Sequence, residues 1–180
     1  MARPSAVLTG ATVVLRRRTL DEFAEVFALV TDALPHLRPW MAWAADGVTE
    51  DSLRAHMADC ERRWADGTEF TYSITLDGAV VGTCGLMAKA AGWEIGYWLH
   101  PAFVGRGAAL EAAALLVDAA FTLPGIEYVE IVHDTANLRS GAIPRKLGFT
   151  EIARVSPPQE PITSAEDGVD VRWRLDRPGG

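Results

Sequence analysis

Residues 93–121 read WEIGYWLHPAFVGRGAALEAAALLVDAAF, and this stretch decides the fold. Trp93 to Leu99 has the aromatic and β-branched character of a strand, and His100-Pro101 ends it. Gly105-Arg106-Gly107 then opens Ala108 to Phe121, an alanine-rich helix. Glycines at 105 and 107 let the backbone turn tightly and come close to a ligand. The first N–H groups of the helix have no partner within it, and the helix dipole adds positive potential there. Strand, glycine turn and helix N-terminus together suit an anion such as phosphate, and Arg106 can add an ion pair. A dinucleotide fingerprint needs G-x-G-x-x-G, but position 110 is Leu, and the P-loop lysine is missing too. Taken alone, the glycines fit a bare strand-to-helix link equally well.

Outward from this segment, the chain alternates strands and helices. Val13 to Arg18 (VVLRRR) reads as a first strand. Leu20 to Asp32 carries Phe23, Val26, Phe27 and Val30 at helical spacing, and Pro35 and Pro39 break the pattern. Trp40, Met41 and Trp43 fall in the loop that follows. Thr49 to Ala65 is a second helix, opened by Thr49-x-x-Ser52 and stopped by Asp66-Gly67. Phe70 to Leu76 and Ala79 to Met87 flank Asp77-Gly78, a hairpin turn. Ile126 to His133 is strand-like, and Asn137 to Leu147 is a helix closed by a left-handed Gly148. Phe149 to Val155 and Val169 to Leu175 are strands around a proline-rich loop, Ser156 to Asp167. The expected fold class is mixed α/β, a mixed sheet with helices on both faces.

The 180 residues suit a single domain, 1–180. Apolar residues make up 49% and charged residues 23%, as in globular proteins. The apolar run Ala108 to Phe121 carries Glu111 and Asp118 and is too short to cross a bilayer, so no membrane partner is expected. No apolar signal segment separates Arg3 from Arg16, so a cytoplasmic protein is expected. The net charge of −7 argues against a broad nucleic-acid surface and is compatible with a cationic amine as substrate. Cys60 and Cys84 are expected as buried free thiols. His36, His56, His100 and His133 are scattered, so no metal site is expected.

The long quoted segment resembles the coenzyme-A motif of the GNAT N-acyltransferases. NLRSGAIPRKLGF (residues 137–149) is similar to that family's next motif. LRPWMAW (37–43) and the hairpin end Val81-Gly82-Thr83 resemble its RimJ/RimL branch, which acetylates protein N-termini and, in relatives, small amines. The resemblance runs from about Val13 to Leu175. It implies the GNAT fold, a mostly antiparallel twisted sheet splayed at the cofactor site. It implies acetyl-CoA as donor, an amine acceptor such as a protein N-terminus or a small molecule, and a homodimer; the alternatives are another donor such as succinyl-CoA, or a CoA-binding module without turnover. Val104 to Ala109 would form the pyrophosphate turn, through the backbone amides of Gly105, Gly107, Ala108 and Ala109. Asn137 and Ser140 would lie near the pantetheine and the thioester sulfur. The strand Gly96 to Leu99 would splay from Ile131 to Asp134 and leave edge amides at Tyr97, Trp98 and Leu99. Two positions depart from the pattern: Val104 replaces a Gln or Arg, and Pro144 stands where many relatives have a tyrosine acid.

Acyl transfer to an amine needs a neutral nucleophile, a stabilised oxyanion, a departing thiolate and held partners. An α-amine, with a pKa of about 7.7–8.0, is substantially neutral near pH 7.5, whereas a lysine amine is only about 0.1% neutral. A weak base therefore suffices for an N-terminus. Glu94 is the first candidate base, with apolar neighbours expected around it. His133 is the second, oriented by Asp134. Ser140 is the candidate donor to the leaving sulfur, and Asn137 the cap of its helix. An amide near Tyr97 or Trp98 is the candidate oxyanion donor. Trp40, Met41 and Trp43 are the candidate lining of the acceptor pocket, or else loop anchors. Glu50 and Asp51 either attract a cationic amine or favour the start of their helix.

Overall fold

An eight-stranded sheet in the order β1-β2-β3-β4-β5-β6-β8-β7 organises the chain. The computed structural model describes residues 2–155 and 158–179. The strands are β1 (Val7–Thr9), β2 (Val13–Arg17), β3 (Glu69–Leu76), β4 (Ala79–Ala88), β5 (Gly92–Leu99), β6 (Tyr128–Asp134), β7 (Thr150–Arg154) and β8 (Asp170–Asp176). Four helices accompany them: α1 (Phe23–Leu37), α2 (Glu50–Asp66), α3 (Ala108–Thr122) and α4 (Leu138–Lys146). Every neighbouring pair is antiparallel except β5–β6. The expected mixed α/β, mostly antiparallel architecture is the one observed.

Strand alternation divides the residues between two layers. On one side Trp93, Ile95 and Leu99 of β5, with Val129 and Ile131 of β6, pack against Ala112, Ala113, Leu116 and Ala120 of α3. Small alanines bring the helix close to the sheet. On the other side Trp98 packs against Phe23, Val26 and Val30 of α1 and Leu53 and Met57 of α2. Helices thus cover both faces. The β3–β4 turn places Asp77 and Gly78 at φ 49° and 86°, the pair of positive angles a two-residue hairpin requires. Thr49 and Ser52 exchange side-chain and backbone hydrogen bonds at the start of α2, and Gly67 ends it in the left-handed region.

Several boundaries differ from the sequence reading. A 3-10 turn at Leu20–Glu22 precedes α1, and α1 continues through Pro35 to Leu37. Pro35 lies in the last turn, where its missing N–H removes a single helical bond. The short strand β1 was not expected; it is three residues long with a mostly exposed pattern that carries no alternation signal. The strand expected from Ile126 begins at Tyr128 and runs to Asp134. The expected loop Ser156 to Asp167 begins outside the described residues; from Gln159 onward it is irregular, with Gln159 N–H donating to Gly168 O at 2.8 Å.

Candidate functional site

The glycine turn has the geometry an anion needs. After the 3-10 turn Pro101–Phe103, Val104 is extended, Gly105 takes φ 81° and Gly107 takes φ 83°. A Cβ built on either glycine meets nothing within 4 Å, so the space outside the turn is open. Gly107 is the N-cap of α3 and makes no side-chain cap, and the first helical bond shown there is Glu111 N–H to Gly107 O at 3.0 Å. The N–H groups ahead of it, at Ala108, Ala109 and Leu110, have no helical acceptor. Arg106 lies 5.3 Å from the Phe103 ring centroid. Val104 packs against the core instead of reaching outward. Glu111, although in the first turn, reaches to the β1–β2 connection. It accepts hydrogen bonds from Thr12 N (2.8 Å), Thr12 Oγ1 and Val13 N (3.4 Å). Burial pushes its carboxyl up, but these bonds outweigh that and hold it below the usual range.

The turn stands beside an opening in the sheet. β5 and β6 are in register only from Gly92–Tyr128 to Ile95–Ile131. Beyond Ile95, residues 96–99 of β5 remain paired with β4 but have no partner on β6. Alternate residues of this edge, Tyr97 and Leu99, therefore turn their N–H and C=O groups to a gap, while Gly96 and Trp98 stay bonded to β4. α4 borders the gap after β6. Asn137 caps α4, its Oδ1 accepting from Ser140 N at 3.1 Å. Ser140 is half-buried and lies 3.2 Å from the hydroxyl of Tyr97 by both its Oγ and its carbonyl oxygen. Burial pushes the Tyr97 hydroxyl up to about 12. The side-chain meeting of Tyr97 with Ser140 was not foreseen, since a β5–α4 contact leaves no mark in local sequence.

His133 is not a base with a free nitrogen. Its Nδ1 lies 2.8 Å from the Asp134 carbonyl oxygen, and its Nε2 accepts from Trp173 Nε1 at 3.0 Å. The ring is buried and stacked on Trp173, and a Cβ on Gly141 would meet it at 2.6 Å. Both nitrogens are occupied, so His133 seats α4 on the sheet. Nor does the Asp134 carboxylate orient it. That carboxylate accepts from the backbone N–H groups of Ala136 (2.8 Å), Asp167 (2.9 Å) and Val169 (3.0 Å). Burial raises its carboxyl, but these amides win and hold it below its ordinary value.

Glu94 faces away from α3, and its surroundings are cationic, not apolar. Lys89 Nζ lies at 3.0 Å and Arg172 Nη1 at 3.7 Å. Its cross-strand partner Glu130 is buried and held by Arg172 and Arg174, each at 2.6 Å. The carboxylate of Glu94 remains a fifth exposed. It sits one residue before Ile95, the last position of β5 paired with β6.

The early aromatic loop reaches the same region. The Trp43 ring lies 6.2 Å from that of Trp98, and Met41 and Trp98 both pack against Ala33, Leu37 and Ala44. Trp40 is half-buried in the same segment. The side chain of Trp98 thus belongs to this wall, and its backbone is turned to β4, so the edge amide expected at Trp98 is not open to the gap. Ala165 N–H donates to Pro39 O at 3.1 Å, so the loop before β8 meets the segment before Trp40. Glu50 and Asp51 lie exposed in the first turn of α2, Glu50 being 3.9 Å from Arg54. Arg18 was passed over in the sequence. It is buried, donating to Ser73 Oγ (3.2 Å) and Thr83 Oγ1 (2.9 Å), and burial lowers its pKa. Cys60 and Cys84 are buried free thiols. Among the described residues no cluster of three His, Cys, Asp or Glu could hold a metal, and no helix is long and apolar enough to cross a membrane.

Comparison with known proteins bears on this site. The family described as Acetyltransferase (GNAT) domain matches residues 12–150. The Bacillus subtilis (strain 168) protein YdaF, provisionally named a ribosomal N-acetyltransferase, is 28% identical over 144 residues, covering 77% of this chain and 76% of its own. The solved structure of RimL, a ribosomal L7/L12 α-N-protein acetyltransferase in complex with coenzyme A, superposes with a TM-score of 0.86 at 18% identity, covering 94% of this chain and 97% of its own. That of MccE, a microcin C7 self-immunity acetyltransferase in complex with acetyl-CoA and AMP, gives 0.84 at 17%, covering 93% and 94%.

Proposed function

The chain belongs to the GNAT acetyltransferase family, and from that premise we propose that it moves the acetyl group of acetyl-CoA onto a protein N-terminal α-amine by direct attack in a ternary complex. One observation carries this reading: a helix N-terminus with free amides, at Gly107 to Ala109, stands directly beside the β5–β6 gap. The two features suit the two ends of one ligand, a diphosphate and an extended amide-bearing arm. The open space outside Gly105 and Gly107 fits a phosphate, and the edge backbone groups of Tyr97 and Leu99 fit the arm. Thioester chemistry is supplied by the acetyl donor; the chain supplies position, charge and hydrogen-bond donors.

In this reading the amides at Gly105, Gly107, Ala108 and Ala109 hold the diphosphate, and the edge amide of Tyr97 receives the oxyanion. Ser140 donates to the leaving sulfur. Glu94, the partly exposed carboxylate beside the gap, takes the proton of the amine through a water. Trp43 beside Trp98, and Met41 on the same small cluster, form the acceptor wall with the loop joined to Pro39. The N-terminal acceptor is supported by what YdaF and RimL are named for. Residues 1–180 act as one catalytic domain, and a cytoplasmic homodimer is the assembly we expect.

The test is thiol release from acetyl-CoA with peptides beginning with Ser or Ala, beside small amines. Release that needs the free peptide terminus, and fails with the same peptide already N-acetylated, is the expected result. Thiol release with small amines alone would move the acceptor class, and none with any amine would overturn the reading.

A further inference from the structure

α4 contains a defect that the structure repairs from another element. In an α-helix the carbonyl of Ser140 accepts from the N–H of residue 144. Residue 144 is Pro, inside the helix, and has no N–H to give. The hydroxyl of Tyr97, from β5 across the gap, lies 3.2 Å from that carbonyl and 3.2 Å from Ser140 Oγ. A phenol has one proton and can donate to only one of these oxygens at a time.

We propose that Tyr97 is a positioning residue for acyl transfer, whose single hydroxyl proton switches between the orphaned carbonyl and the Oγ of Ser140 and so turns the Ser140 hydroxyl toward the departing sulfur. The proposal rests on the acetyltransferase reading above. With the proton on the carbonyl, the Ser140 hydroxyl is free to donate back to Tyr97. With the proton on Oγ, Ser140 must point its own hydrogen elsewhere, and its outlet is the gap. The two arrangements differ by rotation of two hydroxyl hydrogens, because the heavy-atom distances are equal. As the amine nitrogen bonds the acetyl carbon, the carbon–sulfur bond breaks with its electron pair on sulfur. The surplus proton of the amine passes through a water to Glu94. Ser140 and Tyr97 keep their protons and hold the thiolate by two donated hydrogen bonds in series, each strengthened by the charge. Burial keeps the Tyr97 hydroxyl protonated, and therefore a donor, across the neutral range. Pro144 thus leaves open the carbonyl that parks the Tyr97 proton.

The experiment uses the full chain with two substitutions that act in opposite directions. Tyr97→Phe removes the hydroxyl; Pro144→Ala restores the helical N–H, satisfies the carbonyl and leaves Oγ as the partner of Tyr97. Two readouts are taken: kcat and KM with acetyl-CoA, and the titration of the thiol of bound CoA by its ultraviolet thiolate absorbance. Tyr97→Phe is expected to lower kcat by about tenfold, with KM for acetyl-CoA within about twofold. It is expected to raise the titration pH of bound CoA by about one unit. Pro144→Ala is expected to move that titration to lower pH. The proposal is overturned if Tyr97→Phe leaves kcat and the thiol titration at wild-type values, or if both substitutions move the titration the same way. Should Tyr97→Phe fail to fold, the direction of the Pro144→Ala shift decides alone. A wild-type protein that binds CoA but acetylates no amine would sink the proposed function, while the thiol titration would still judge the hydroxyl pair.

Discussion

Replacing Gly107 by Ala tests the glycine turn most directly. Gly107 has φ 83° and ψ −5°, and its new methyl group would meet nothing within 4 Å. The cost is therefore backbone strain without a clash, about 1–2 kcal/mol for an L-residue in the left-handed region. That strain appears in one of two places. If the turn holds its shape, the free protein is destabilised by this amount. With an unfolding entropy of about 2.1 cal/mol/K per residue, this lowers Tm by roughly 3–5 °C. If the turn relaxes, the amides of Ala108 and Ala109 turn away, and the strain returns when the diphosphate binds. CoA affinity then falls by about 5- to 30-fold. In both cases the complex with CoA loses the same free energy relative to the unfolded chain. Scanning calorimetry at a fixed excess of CoA measures that sum, and isothermal titration divides it. Pantetheine, which lacks the diphosphate, serves as the control and binds both proteins alike. A variant whose Tm with CoA and whose Kd for CoA both equal those of the wild type would refute the assignment of Gly107 to the anion site.

Asp134→Asn keeps one oxygen but sets an NH2 group against a backbone N–H of the loop before β8. Charge-assisted bonds of this kind are worth about 1.5–3 kcal/mol each, so a loss of roughly 3 kcal/mol, or about 8 °C in Tm, is expected at pH 7. The folded carboxyl is depressed, so its contribution is full above the ordinary Asp value of about 3.9 and fades as pH falls through the lower folded value. The difference between wild type and variant must therefore shrink in acid; an equal gap at pH 7 and pH 3 would contradict this. Glu94→Gln is expected to lower kcat in the thiol-release assay by about tenfold, roughly 1.4 kcal/mol, with KM for acetyl-CoA unchanged. Wild-type turnover would remove Glu94 from the mechanism.

What the sequence discloses here is what neighbouring residues decide among themselves. Gly105 and Gly107 ahead of an alanine helix, Asp77-Gly78 between alternating strands, and Thr49 three positions before Ser52 each specify their own geometry, and each is found as read. The opening beyond Ile95 followed from the family resemblance alone, since no local pattern tells a strand where to lose a partner. The misread environments depend on distant chain. Glu94 meets Arg172, and His133 meets Trp173 and Gly141. A histidine after a strand looks available until a tryptophan forty residues later takes its nitrogen. α1 outlasted Pro35 because Leu37 and Ala33 pack with Ala44, and that burial outweighs one missing bond. β1 exists because its edge finds β2, a pairing that three residues could not announce.

Only four residues of β5 stay in register with four of β6, and they join two antiparallel half-sheets, β1–β5 and β6–β8. Such a short seam makes the occupant of the cleft above it a keystone. A ligand bridging both lips adds its binding free energy to the cohesion of the halves, about 2.7 kcal/mol when its concentration is a hundredfold above Kd. Under the proposed function that ligand is acetyl-CoA, and the resistance of the folded chain to heat then rises with its concentration.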